Sequence, residues 1–217
     1  MTPLPHRSNQ QRKTTMPQNN TITNTPWQGI INPTATFRKA FHKPVLAVDW
    51  NSTIQNQISE ICRTTRGLLV PEDFDRWDPP LGHKIGMSET QFTRWAWSSK
   101  YIQWRARPYA NAKQALASIR QSYQVWVVTS TCLERPLVER WFSREGIGYD
   151  RLIITGDKGS VPWNVLIDDN PETLAKLHRD GRLVIRFAVP KWNSHLVSVP
   201  AIHDWADAEW MVNYVAK

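Results

Sequence analysis

From Pro44 onward, short apolar runs are separated by longer amphipathic stretches. Val45–Val48 is a four-residue apolar run cut off by Asp49. Val125–Val128 is a second, ending at Thr129 and Ser130, and Leu152–Ile154, Val165–Ile167 and Leu183–Phe187 follow. Runs this short, without polar alternation, predict strands buried on both faces. Between them the spacing becomes that of a helix. Ala112, Ala115, Leu116 and Ile119 share one face of a helix predicted over Asn111–Ser122. Leu137, Val138, Trp141 and Phe142 do the same over Arg135–Arg144, and Pro171–Arg179 forms another helix. Strands alternating with helices predict an α/β fold, a three-layer doubly wound parallel sheet. Ligands of such sheets bind just beyond the carboxyl ends of the strands.

The stretch from Ser52 to Arg105 breaks this rhythm. It carries Asp-Pro-Pro at 78–80, glycines at 67, 82 and 86, and a high density of aromatic residues. Its place after the first strand predicts a small, mainly helical cap, inserted at about 54–105 over the strand ends. Residues 1–43 differ again, being rich in Asn, Gln, Thr and Pro and without periodicity. They predict a disordered arm in front of a single domain over 44–217, because they hold too little apolar surface to offset ordering entropy.

Composition narrows the classes. The 217 residues are 41% hydrophobic and 21% charged, ordinary for a globular protein. No apolar run approaches the roughly 20 residues of a membrane span, so no membrane partner is expected. Cys62 and Cys132, the two cysteines, supply neither a disulfide framework nor a zinc ligand set, and fit a reducing, cytoplasmic setting. His83, His178, His195 and His203 show no metal-ligand spacing. The net charge of +8 suggests nucleic acid until it is divided along the chain. Six of the 27 basic residues and no acidic one lie in 1–43, leaving 21 basic against 19 acidic residues in the body. The charge belongs mostly to the arm. Three readings of the arm stay open: a solvated tail or over-extended start, with Met16 as the first residue; an electrostatic contact with nucleic acid or a partner; or an organelle-targeting leader. Nothing in the sequence sets an oligomeric state.

Polar residues stand where the strands stop. Asp49 and Asn51 follow the first strand, Thr129 and Ser130 the second, Lys158 the Leu152–Ile154 strand, and Asp168 and Asp169 the Val165–Ile167 strand. In a parallel sheet these side chains converge on one edge. Clustered carboxylates repel unless a cation lies among them, and an all-oxygen site suits Mg²⁺. Thr129 and Lys158 would then face an anion, for which a phosphoryl group is the natural candidate.

The segments VLAVDWNST (45–53), WVVTS (126–130), GDKG (156–159) and VLIDDNPE (165–172) resemble, in order, the four motifs of the haloacid dehalogenase superfamily. YDRLIITGDKGSV (149–161), RPY (107–109) and the Trp192–Asn193 pair are most similar to its 5′(3′)-deoxyribonucleotidase branch. The resemblance implies a Mg²⁺-dependent phosphatase acting on a phosphate monoester, with a nucleoside monophosphate as the expected substrate. Asp49 would be the nucleophile that forms an aspartyl-phosphate. Asp49, the backbone carbonyl of Asn51 and Asp168 would hold the metal, with Asp169 assisting. Thr129 and Lys158 would bind phosphoryl oxygens, with Ser130 beside them. Phe74, Trp77 and Trp95 are the cap aromatics expected to wall a base. Arg107 is expected to pair with an acidic neighbour and Asp157 to shape a turn. One position departs from the family pattern: most of its phosphatases carry an aspartate two residues after the nucleophile, as general acid and base, and Asn51 stands there instead. A nucleic-acid end phosphatase, with the arm supplying strand affinity, and a phosphate-binding or interaction protein on the same fold are the alternatives.

Overall fold

The computed structural model describes residues 43–131 and 133–217. The arm expected over 1–43 lies outside them except for Lys43, whose Nζ donates to the Arg120 carbonyl at 2.9 Å.

The first apolar run forms the centre of the sheet. β1 (Val45–Val48) pairs in parallel with β2 (Gln124–Thr129) on one side and β4 (Val165–Asp168) on the other. β3 (Arg151–Ile154), β5 (Leu183–Phe187) and a short β6 (Ala201–Ile202) extend it to six parallel strands in the order β3-β2-β1-β4-β5-β6. Strand order reverses direction at β1 and β4, where doubly wound sheets open their ligand crevice. The sixth strand follows the run that closes the apolar series in the sequence; two residues are too few to register as periodicity.

Alternate residues of the strands feed two cores. Leu46, Val48, Val125, Val127, Val165 and Ile167 pack under α4 (Ala112–Ile119), α5 (Arg135–Glu145) and α7 (Ala208–Val215). Ala47, Val128 and Leu166 face the other way, onto Leu174 and Leu177 of α6 (Pro171–Arg179). Both faces are covered, so the strands carry no polar alternation. Leu137 is only half buried, at the edge of α5, while Val138, Trp141 and Phe142 are fully inside.

Between β1 and α4 lie three helices, called the cap below: α1 (Gln57–Thr64), α2 (Glu89–Ser98) and α3 (Lys100–Arg105), with single 3₁₀ turns at 71–73 and 82–85. The cap has its own apolar cluster around Ile61, Leu69, Phe74, Phe92 and Ile102. α2 begins with a capping box, in which the Ser88 hydroxyl accepts from Gln91 N and the Gln91 side chain accepts from Ser88 N. Trp192, from the loop after β5, joins the cap cluster. One core side chain therefore completes the cap's interior.

Candidate active site

Asp49 follows β1 directly, held in register because its N–H donates to the Ile167 carbonyl at 2.9 Å. The chain then turns sharply: Ile54 N and Gln55 N both donate to the Trp50 carbonyl, and buried Ser52 takes a left-handed φ of 57°. A non-glycine residue rarely adopts this conformation, and it marks a backbone aimed at a site. Trp50 anchors the turn edge-on against Trp141, with ring centroids 5.5 Å apart.

The ends of β3 and β4 bring the remaining groups. Lys158 lies in a 3₁₀ turn started by Asp157, whose carboxylate accepts from Gly159 N at 3.1 Å, so Asp157 is a turn residue. Buried Lys158 Nζ sits 2.8 Å from Asp49 Oδ1 and 2.7 Å from Asp168 Oδ2. Burial opposes charge on this lysine, but the two carboxylates outweigh it and hold the ammonium above its ordinary range. Burial pushes Asp49 up to about 6, with Lys158 pulling the other way and Asp168 adding to the rise. Thr129, fully buried at the end of β2, places its hydroxyl on the Asp49 side and favours the charged carboxylate.

Asp168 and Asp169 are adjacent but differently employed. Asp168 Oδ2 accepts from Lys158, and Oδ1 accepts from Asn170 N at 2.9 Å. The second bond turns the chain into α6, which Asn170 caps through Thr173 N. Each oxygen of Asp168 thus accepts one hydrogen bond from the protein. Asp169 Oδ1 accepts from Thr53 Oγ1 at 2.7 Å, whereas its Oδ2 is buried and has no hydrogen-bond partner. Burial, with Asp49 and Asp168 beside it, raises Asp169 well above the usual carboxylate range. Ligand oxygens of Asp49, Asp168 and Asp169 lie within 4.8 Å of one another, and all three residues are buried. Three buried carboxylates against one lysine leave excess negative charge, and Asp169 Oδ2, like Asn51 Oδ1, is a buried oxygen with no hydrogen-bond partner. A hard dication fits this donor set.

Above these groups opens a cavity of about 390 Å³, ample for a small ligand. Asp49, Asn51, Ser130, Lys158 and Asp169 reach its floor. Its cap wall contains Trp77, Asp78, Thr93 and Trp97, and Trp192 lines it from the core. Trp192 stands edge-on to Trp77 at 5.4 Å and to Trp97 at 6.0 Å. Of the three aromatics expected from the sequence, only Trp77 lines this cavity. Phe74 is fully buried in the cap cluster behind Trp97, 6.3 Å away and edge-on. Trp95 borders a separate depression with Met87 and Arg94. The helical period accounts for this: Thr93 and Trp97, four residues apart, share one face of α2, and Trp95 points elsewhere. Trp97 is not among the expected wall residues because which face of α2 meets the strand ends depends on how the cap sits, and Trp192, noted in the sequence only for its resemblance, reaches the cavity from the loop after β5.

Trp192 and Asn193 also support the floor. Trp192 Nε1 donates to the Asp169 carbonyl at 3.1 Å, and Asn193 Nδ2 donates to it at 2.9 Å. Arg107 pairs with Glu145 at 3.0 Å, outside this cavity.

The family model described as 5′ nucleotidase, deoxy (pyrimidine), cytosolic type C protein matches residues 89–217. The chain belongs to this family, within the haloacid dehalogenase superfamily. The matched stretch runs from α2 to the end of the chain and includes Thr129, Lys158, Asp168, Asp169 and Trp192; Asp49 precedes it and reaches the site through the pairing of β1 between β2 and β4. Solved structures agree in fold. The HAD-hydrolase YfnB of Bacillus subtilis, bound to magnesium, superposes with a TM-score of 0.55 at 10% identity, over 79% of this chain and 99% of that one. A haloacid dehalogenase-like hydrolase of Xanthomonas campestris gives 0.51 at 13%, over 81% and 96%. A predicted phosphoglycolate phosphatase of Haemophilus somnus gives 0.52 at 13%, over 79% and 98%. No curated protein matches the sequence. This nucleotidase-family chain therefore carries a phosphatase fold with an acidic cluster able to hold a metal. No helix among the described residues is long and apolar enough to cross a membrane.

Proposed function

We propose that the protein is a Mg²⁺-dependent phosphate-monoester hydrolase acting on a (deoxy)nucleoside monophosphate through an aspartyl-phosphate on Asp49. One observation carries the reading: Asp49, paired with Lys158, and the unsatisfied oxygen of Asp169 lie on the floor of one cavity whose walls are three tryptophans. Flat rings above a phosphate-sized floor suit a base attached to that phosphate, and stacking contributes ~1–3 kcal/mol per base.

An Asp49 oxygen attacks phosphorus, the phosphorus–ester oxygen bond breaks, and the nucleoside leaves. Water then attacks the aspartyl-phosphate, releasing inorganic phosphate and restoring the carboxylate. Lys158 keeps Asp49 ionised and places positive charge where the phosphoryl oxygens arrive, and Ser130 offers a hydroxyl from the cavity floor. Asp49, the Asn51 carbonyl and Asp169 would hold Mg²⁺, which supplies further charge stabilisation for the phosphoryl group. In this assignment Asp168 orients Lys158 and the start of α6, an exchange of the roles expected from sequence for the two aspartates.

Asn51 lines the floor at the position where an acid would protonate the leaving oxygen. Its amide cannot donate and recover a proton, so both steps lack general acid–base help, a factor of typically 10²–10⁴. This favours a second reading, a weakened relative that binds nucleotide and turns it over slowly. Turnover of p-nitrophenyl phosphate and a nucleoside monophosphate panel, with and without Mg²⁺, separates the two. In the enzyme reading p-nitrophenyl phosphate, which needs little protonation, outruns the nucleotides. Asn51→Asp then raises nucleotide turnover by up to ~10²–10⁴-fold, and Asp49→Asn abolishes it in both backgrounds. Nucleotide binding without hydrolysis, in wild type and Asn51→Asp alike, would establish the binding protein instead.

A further inference from the structure

Where the cap meets the core lies a second cavity, of about 660 Å³, sharing no lining residue with the first. Four arginines border it: Arg63 of α1, Arg105 at the end of α3, Arg107 just beyond, and Arg144 in the last turn of α5. Their charges are incompletely balanced. Arg63 and Arg105 share the buried carboxylate of Glu60, with Arg105 Nε 3.2 Å from its Oε1. Arg107 and Arg144 share Glu145, at 3.0 and 2.6 Å. Each group of two cations and one anion leaves one positive charge over.

Aromatic rings set the direction of two of these charges. The Arg105 guanidinium lies 5.3 Å from the centroid of Tyr101, and that of Arg144 lies 4.4 Å from the centroid of Trp104. Arg105 spends only its Nε on Glu60 and keeps a planar Nη edge that matches a pair of phosphoryl oxygens, whereas Arg144 gives Nε to Glu145 and Nη1 to the Trp104 carbonyl and keeps Nη2. The side chains of Arg63, Arg105 and Arg107 are 53%, 47% and 73% exposed, so the donors are reachable from solvent.

We propose that this junction is a binding site for a small anion with at least two phosphoryl charges, of the pyrophosphate or nucleoside diphosphate class, separate from the catalytic floor. The cavity has the size of a one-molecule site rather than a track for a strand. The excess of one positive charge in each Arg–Glu group matches a ligand with charge at two points. Arg63 comes from the cap and Arg144 from the core, so the bound anion would bridge them.

The test uses the full-length Asp49→Asn protein without Mg²⁺, which prevents turnover, titrated calorimetrically with pyrophosphate and then with a nucleoside diphosphate. Adding Arg105→Ala and Arg107→Ala leaves Glu60 paired with Arg63 and Glu145 with Arg144, so the fold keeps its buried ion pairs. The expected result is a binding event that weakens by about tenfold or more for each guanidinium removed. Any nucleotide binding sensitive to Trp97→Ala should stay unchanged. Tighter binding of the nucleoside diphosphate than of pyrophosphate assigns the exposed rings of Tyr101 and Trp104 to a base; equal affinity assigns the site to phosphate alone. Absence of binding, or binding untouched by the double arginine variant, overturns the proposal.

Discussion

At the amino ends of the strands, Asp150 accepts from Val125 N at 2.8 Å and from Arg120 at 2.6 Å, and Asn164 Oδ1 accepts from Val45 N at 2.7 Å. At the carboxyl ends, Asp169 Oδ2 and Asn51 Oδ1 are buried with no hydrogen-bond partner, and three carboxylates crowd one lysine. The same residue types thus serve opposite purposes on the two edges of one sheet. Arg120 lowers the Asp150 pKa, so that ionisation stabilises the fold. On the other edge burial raises Asp49 and Asp169, so that ionisation costs stability until a ligand or cation compensates. The edge that is complete holds the fold together; the edge left incomplete is where the protein can bind something.

The contrast is most sharply tested at Lys158. In metal-free protein, Lys158→Met strands Asp49 and Asp168 without a cation. It should cost ~3–5 kcal/mol in denaturant unfolding, the usual range for breaking a buried pair. Asp150→Asn should cost clearly less, because one of its partners is a half-exposed guanidinium. Equal losses would mean that the two edges are not differently loaded.

The next effect concerns the neighbouring aspartates. Asp169→Asn should weaken Mg²⁺ binding beyond the ~10–100-fold expected for a residue that only orients ligands. Asp168→Asn should stay within that range. Calorimetric titration of both variants decides it, and the reverse order would return the metal to Asp168.

Trp97→Ala should lower affinity for a nucleoside monophosphate by ~1–3 kcal/mol, while Trp95→Ala leaves it unchanged. Equal effects on binding would remove the cavity wall from the account. Phe74→Ala acts differently, through stability: truncating a fully buried aromatic costs ~3–5 kcal/mol.

The smallest expected effect is a pH dependence at the complete edge. The Asp150 pKa is depressed in the fold, so its contribution is present above the unfolded value of ~3.9 and is lost as pH falls through the folded one. Wild type should therefore unfold later than Asp150→Asn at neutral pH, and the gap should close in acid. A gap that widened in acid would reverse the sign assigned here.

Much of the carboxyl-end edge was legible in the sequence because strand ends are one-dimensional events. Val45–Val48 stops at Asp49 and Val165–Ile167 at Asp168, and a parallel sheet brings such stops together whatever else the chain does. The surface that the cap helices present was not legible in the sequence. Phe74 and Trp97 are both aromatic, and only tertiary packing decided that one fills the cap interior while the other lines a cavity. The different hydrogen bonding of Asp168 and Asp169 was also hidden, since Lys158 and Asn170 N reach one and not the other. β6 was too short to announce itself.

Trp192 ties the cap's interior to the floor of the cavity. Its ring belongs to the core chain yet fills the cap's interior, and its N–H holds the Asp169 carbonyl. Lifting the cap would expose the indole, while its hydrogen bond to Asp169, made within the core, would remain, so opening is penalised by apolar surface alone. Because burying apolar surface weakens as a driving force on cooling, the indole's share of that penalty shrinks in the cold. Closure of this pocket should then loosen at low temperature, the reverse of what a purely hydrogen-bonded latch would do.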